Sequence, residues 1–312
     1  MLMSRENNQE LRINGWIYLD KPLGISSNKL LQKVRRLFKN CKAGYVGTLD
    51  PMASGFLPVA LGKATKTIKY IEKSSKEYVF TVNWGVKTNT GDLEGEILAK
   101  NAMTPSESDI NRCIKLFLGQ LKQKPSKFSA IKINGKRAYK LARKGLEFDI
   151  KKRNIEIYDF KLIRCLSNSQ SQFYINSSSG TYIRTLIEDF ASSMGVLGHL
   201  SSLRRIGFGK LDKKLISLDS LISLMHIDKL IRLLKPIDAI FEGVKRIDID
   251  KYEARLILNG KSIATKDEHK LTNVKDKFAI ARYEKNLIVT GNINDGNFHP
   301  ETIMNMNFNS GN

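Results

Sequence analysis

Apolar positions along the chain fall into blocks of two periods, and their alternation outlines the architecture. Residues 15–19, a continuous Gly-Trp-Ile-Tyr-Leu run, predict a short buried strand. From Ser27, a predicted N-cap, Leu30, Leu31, Val34, Leu37 and Phe38 recur at helical spacing, with Lys33, Arg35, Arg36 and Lys39 opposite. Residues 44–51 are too rich in Gly and Pro for regular structure. A helix is expected over 63–73, an alternating strand over 76–85 and a polar loop over 88–95. Residues 106–119 predict a helix with Ile110, Ile114, Phe117 and Leu118 inward and Gly119 as its stop. Asn134-Gly135 signals a turn ahead of a basic helix that ends at Gly145. Residues 153–166 and 172–178 predict paired strands, and 181–195 a helix burying Ile183, Leu186, Ile187, Phe190 and Met194. A strand over 203–208 and helices over 217–225 and 227–234 lead up to Pro236.

The texture changes near residue 245. Short segments follow: 244–249, a helix over 251–258 closed by Asn259-Gly260, and strands near 277–283 and 286–290. This predicts a small, mostly β unit, with an Asn-rich frayed tail from residue 291. Strands and helices interleave without a βαβ rhythm and without GxGxxG, so the large unit is expected to be α+β with a mixed or antiparallel sheet.

Charge narrows the function. Of 312 residues, 52 are Lys or Arg and 31 Asp or Glu, a net charge of +21. Such an excess fits a polyanion, either nucleic acid or an anionic membrane surface, although a Lys-rich proteome raises Lys everywhere. No apolar run reaches the ~18 residues that a spanning helix needs. The polar N-terminus lacks the apolar core of a secretory signal, so a reducing cytoplasm is the expected setting. Cys41, Cys113 and Cys165 are widely spaced and form no CxxC pair, and His199, His226, His269 and His299 are scattered. No metal site is expected from them.

Asp50 is the first candidate for chemistry. Pro51 restricts its backbone and so fixes the direction of its carboxylate, while Gly44, Gly47 and Gly55 leave room for a ligand. A carboxylate held this way can attack an electrophilic carbon, and an Asp-Pro turn former is the competing reading. Arg184 falls in the first turn of its helix, where the helix dipole disfavours a cation, at the edge of the apolar stripe. Its partner is either Glu188 at i+4 or a distant carboxylate such as Asp50. Tyr45, Tyr78, Tyr139 and Tyr182 each lie close to Lys or Arg, as suits unstacked bases, and equally suits ordinary strands. The basic helices around 33–39 and 136–144 would meet phosphates if they share a face, and are otherwise two solvated surfaces.

Six segments in order, 19–38, 42–66, 76–95, 125–145, 178–190 and 199–209, together resemble the bacterial tRNA pseudouridine-55 synthase family. They include Leu-Asp-Lys-Pro at 19–22, Gly-Thr-Leu-Asp-Pro at 47–51 and Gly-Thr-Tyr-Ile-Arg-Thr at 180–185. The resemblance implies a pseudouridine synthase catalytic domain over 1–244, a reduced PUA-like RNA-binding domain over 245–300 and a disordered tail over 301–312. It implies isomerisation of the T-loop uridine of tRNA after the base is flipped out, without a cofactor. The enzyme would act as a monomer on the T-arm, with no obligatory protein partner and no membrane. The resemblance makes Asp50 the nucleophile, toward ribose or pyrimidine ring, and Arg184 its partner. Tyr78 would be catalytic, stacking on the flipped base and assisting proton transfer, Tyr182 and Leu203 would line the uracil pocket, and Lys21 would contact phosphate. Two positions depart from the common pattern. Tyr45 stands where many members have His, and Asn89 where many have Asp.

Overall fold

The computed structural model describes residues 13–304 apart from 130, 134, 143, 225, 266–276 and 285. Strand β1 (Gly15–Lys21) leads into α1 (Ser27–Leu37), then β2 (Ala43–Tyr45) and β3 (Ala53–Leu61). A 3-10 turn over Gly62–Thr67 runs into the single-turn α2 (Ile68–Ile71). The chain continues through β4 (Lys76–Trp84), the hairpin β5 (Val86–Thr88) and β6 (Ile97–Lys100), α3 (Glu107–Leu116) and β7 (Gly119–Gln123). A second small hairpin, β8 (Lys132–Ile133) and β9 (Lys136–Arg137), precedes α4 (Ala138–Ala142), β10 (Arg153–Ser167) and β11 (Gln170–Ser177). Next come α5 (Ile183–Ser193), β12 (Gly198–Phe208), β13 (Ile216–Ser217), α6 (Leu218–Ser223) and α7 (Ile227–Arg232). The last part holds β14 (Lys245–Asp248), α8 (Lys251–Leu258), β15 (Ile263–Ala264), β16 (Phe278–Tyr283), β17 (Asn286–Asn294) and β18 (Asn297–Ile303).

Among the described residues nine strands form one mixed sheet in the order β13-β1-β3-β12-β4-β11-β10-β7, with β2 also on β3. The expected α+β class with a mixed sheet is what folds. The period-2 geometry of a strand sorts β1 onto two cores. Ile17 and Leu19 join the cluster under α1, α6 and α7, while Trp16 and Tyr18 pack with Phe56 and Phe208 on the other side. Along β4, Tyr78, Phe80, Val82 and Trp84 share one face and meet α3 and α5. There Phe160, Phe173 and Phe190 form an aromatic core with centroids 5.1–5.9 Å apart. Strand β12 lies between β3 and β4 and returns from the far side of α5. The two halves of the sheet are therefore joined only by β12, and β13 completes the edge beside β1.

Several elements differ from the sequence reading. Strand β3 carries Pro58 and was not foreseen. It tolerates Pro58 because that residue lies between the stretch paired with β12 (53–55) and the stretch paired with β2 (59–61). The helix expected over 63–73 is a 3-10 turn and one α-turn, and the basic helix after Gly135 shrinks to the five residues of α4. Strand β12 begins at Gly198, earlier than the expected 203. Ser26, not Ser27, caps α1 by accepting the Lys29 N–H.

The frayed tail expected from residue 291 is instead strand. Asp295 (φ 49°) and Gly296 (φ 73°) make a two-residue turn with both angles positive, which joins β17 to β18. Residues 301–303 thus belong to the C-terminal sheet, β14-β16-β17-β18-β15, and Met304 is buried beside it. The remainder of the expected tail, 305–312, lies outside the described residues. This sheet and α8 have their own core and dock on α2. Tyr70 packs against Phe241 and Phe278 and shares a 2.7 Å hydrogen bond with Thr290.

Candidate active site

The Asp50 loop is fixed from three sides. Its turn closes through the Ala53 N–H on the Asp50 carbonyl at 3.0 Å, with Pro51 at the position its ring angle favours. Ser27, released from capping, both donates to the Leu49 carbonyl and accepts the Leu49 N–H, each at 2.9 Å. The Gly24 N–H donates to the Pro51 carbonyl at 2.9 Å. On the far side Arg205, 1% exposed, donates to the carbonyls of Gly47 and Phe56 at 2.7 Å each, bracketing the loop. Gly47 (φ 70°) takes a left-handed conformation, and a Cβ there would lie 3.0 Å from Arg205.

Arg184 resolves its awkward place in the helix by crossing to two carboxylates. Its Nη2 lies 2.9 Å from Asp50 Oδ2, and its Nε lies 3.5 Å from Asp92 Oδ2. Nη1 donates to the Thr90 carbonyl at 2.9 Å and Nη2 to the Phe128 carbonyl at 3.2 Å. The Arg184 and Asp92 side chains are nearly sealed at 6% and 5% exposure, whereas Asp50 is 40% exposed. The buried guanidinium is thus neutralised from below by Asp92 and presents its outer edge to a carboxylate that still reaches solvent. Glu188, the local alternative, makes no ion pair with Arg184. Burial pushes its carboxyl upward, against the pull of Lys87 and Arg184.

Asp50 and Arg184 open onto a cavity of about 370 Å³, within the range of small-ligand sites. Tyr45, Tyr78, Tyr182, Leu203 and Arg205 line the same cavity. Tyr78 and Leu203 come from adjacent strands, β4 and β12, whose register sets Leu203 against Phe80 and Tyr78 against Arg205. Tyr182 is held by Gln123, which bonds both its N–H (2.9 Å) and its carbonyl (3.0 Å). The Arg153 guanidinium lies 5.0 Å from the centre of the Tyr182 ring. Asn89 is exposed and accepts the Glu96 N–H at 3.1 Å, a loop-closing role that needs no charge. Lys29, Lys33 and Arg36 of α1, Lys39 just beyond it, and Lys136, Arg137 and Lys140 of the β9–α4 segment are exposed.

Lys21 is placed otherwise than expected. It is fully buried, and its ammonium donates to the carbonyls of Pro22 (2.8 Å), Ile25 (2.6 Å) and Pro51 (3.4 Å), so it braces the Asp50 loop instead of facing phosphate. The sequence pattern hides this because a charged residue after a strand usually faces water. Burial pulls the ammonium down to about 8, against the opposing pull of Asp50 and Glu94. A lysine lowered in the native state binds fewer protons there than in the unfolded chain. Stability therefore rises with pH between the native value of about 8 and the unfolded value of 10.5. Denaturant unfolding from about pH 7.5 to about pH 9.5 should stabilise the wild type by ~1–2 kcal/mol more than Lys21→Met. Parallel slopes would refute this.

Asp92 and Arg205 escaped the sequence reading. Asp92 stood in a loop read only as polar, where Thr90 (2.6 Å) and the Glu94 N–H (3.0 Å) now bind its Oδ1. Arg205 lies two residues past Leu203 in the 199–209 segment, and its burial depends on β12 joining β3. Neither residue carries a local signal of its role, because the Asp92–Arg184 pair and the Arg205–Gly47 bond each span more than 90 residues of chain.

A mixed-sheet α+β domain that sets a carboxylate–guanidinium pair in a tyrosine-lined cavity defines a class, and comparison with known proteins gives that class its family. Residues 35–183 match the TruB family pseudouridylate synthase N-terminal domain, and residues 184–242 match the tRNA pseudouridylate synthase B C-terminal domain. The tRNA pseudouridine synthase B of Rhizobium etli is 36% identical over 299 residues, covering 93% of this chain and 96% of that protein. Its counterpart in Agrobacterium fabrum is 36% identical over 317 residues, covering 96% and 99%. A solved H/ACA RNP bound to a substrate RNA containing 2′-deoxyuridine superposes with a TM-score of 0.69 at 22% identity, over 94% of this chain and 85% of that one. The archaeal box H/ACA sRNP Nop10–Cbf5 complex gives 0.68 at 22% identity, over 95% and 88%. The chain belongs to the TruB family and is a pseudouridine synthase, an isomerase. The junction of the two matched segments falls inside the first turn of α5, within one continuous sheet domain.

Proposed function

We propose that this protein converts the T-loop uridine of tRNA, position 55 by convention, to pseudouridine as a single chain, with Asp50 as nucleophile and no cofactor. Modification of tRNA uridine agrees with the relatives named tRNA pseudouridine synthase B. The observation that carries the finer reading is the Asp50–Arg184 pair at 2.9 Å, open to a cavity walled by Tyr78, Tyr182 and Leu203.

The reaction breaks the N1–C1′ bond, rotates the uracil and joins C5 to C1′. The C5 proton leaves and N1 gains one, so atoms and electrons balance within the nucleoside. The uridine must first leave its stack, and a flipped pyrimidine finds the Tyr78 ring and the apolar Leu203 wall. Arg184 aims the Asp50 carboxylate at the cavity, and a base seated against Tyr78 and Leu203 displaces water from the separated sugar. The exposed cations of α1 and of the β9–α4 segment serve the phosphate backbone. The C-terminal sheet, PUA-like in this reading, adds to the RNA-binding surface.

The test uses the purified chain with an unmodified tRNA transcript carrying tritium at uracil C5, in EDTA. Tritium should be released at one site per tRNA, mapped to the T-loop. Tight binding without release, or release only with an added guide RNA, would overturn the proposal.

A further inference from the structure

One residue of the cavity wall carries a hydroxyl with no partner. Ser129 is 3% exposed and lines the same cavity as Asp50, yet its Oγ is sealed from solvent and makes no hydrogen bond. A buried hydroxyl left unpaired is costly, and of the eight described residues that bury an unpaired side-chain atom Ser129 alone lines the cavity. The backbone around it is not loose. The Ser129 carbonyl accepts the Tyr139 N–H at 3.0 Å, and the neighbouring Phe128 carbonyl holds Arg184 Nη2 at 3.2 Å. The guanidinium that orients Asp50 therefore also fixes the segment that carries Ser129. The residue borders the cavity while its hydroxyl is turned away from solvent, so one rotation about Cα–Cβ brings the hydroxyl to whatever enters.

We propose that Ser129 is a substrate-binding residue whose hydroxyl hydrogen-bonds an oxygen of the flipped nucleoside, either a uracil carbonyl or the ribose 2′-hydroxyl. The assignment rests on the proposed uridine isomerisation and adds a contact to it. A hydroxyl both donates and accepts, so it suits either oxygen. Because Ser129 has no partner in the free protein, its removal should leave the fold untouched and weaken only the complex.

The experiment compares wild type, Ser129→Ala and Ser129→Thr. Ser129→Ala should lower kcat/KM on tRNA about tenfold, the size of one buried hydrogen bond to substrate, while its denaturation midpoint stays equal to or above that of the wild type. Ser129→Thr, which keeps the hydroxyl, should recover most of the activity. In an Asp50→Asn background, which holds the uridine unreacted, affinity for RNA is then measured with uridine or 2′-deoxyuridine at the target. A Ser129→Ala penalty that disappears with 2′-deoxyuridine assigns the bond to the ribose, and one that persists assigns it to the base. An active wild type with an equally active Ser129→Ala overturns the inference, as does a lowered denaturation midpoint, which would make the residue structural. An inactive wild type would instead defeat the isomerase reading itself.

Discussion

Asp50→Asn should lower the rate of isomerisation at least ~10³-fold while leaving the fold and RNA affinity nearly unchanged. Asn keeps the size of the side chain and one hydrogen bond to Arg184, but it has no charge with which to attack carbon. The loop does not depend on the carboxylate for its shape, because Ser27, Lys21, Gly24 and Arg205 hold it through main-chain atoms. Asp50 is 40% exposed, so loss of its ion pair costs stability little, ~1 kcal/mol or less. Arg184 retains Asp92 and two carbonyls. Single-turnover tritium release, filter binding and denaturant unfolding measure the three quantities. Activity within tenfold of the wild type would remove Asp50 from the chemistry. Asp50→Glu provides a geometric control: it keeps the charge and moves it by one methylene, and a misplacement of that size costs roughly 10²-fold.

The second large effect falls on stability as well as rate. Arg184→Met should destabilise the protein by ~3–5 kcal/mol, because it strands Asp92 as an uncompensated buried charge. It also removes the donors to the Thr90 and Phe128 carbonyls and leaves Asp50 without its guide. The double variant Arg184→Met/Asp92→Asn removes the stranded charge and should regain about half of the lost stability. It should regain none of the activity, since Asp50 remains unpaired. Equal stabilities for the single and double variants would show that Asp92 does not depend on Arg184. Restored activity would show that the pairing of Arg184 with Asp50 is dispensable.

Legibility of the fold followed the range of the interactions. Helices α1, α3 and α5 were visible because their apolar stripes repeat every three to four residues, and each stripe reaches the core. Strand β3 was hidden by its Gly and Pro, which mark turns in isolation but here lie where the strand changes partner. Strand β18 was hidden by polar composition, since Phe298 is its one buried residue and its other six positions carry no apolar alternation. The short basic helix α4 was overread, because one turn of favourable residues extends only if packing supports it.

At the cavity, the residue types and their order, Asp50 before Pro51, Arg184 in a first helical turn and tyrosines beside cations, were properties of the chain itself. They arise from local backbone restriction, helix electrostatics and side-chain chemistry, all of which act over a few residues. Only the tertiary structure could choose Asp50 over Glu188 for Arg184, supply Asp92 as the second carboxylate, and turn Lys21 and Arg205 inward as braces of the loop. Those choices depend on burial. A charge takes a distant partner when sheet closure strips its water away, and that closure rests on β12, which is far from β3 and β4 in sequence and lies between them in the sheet.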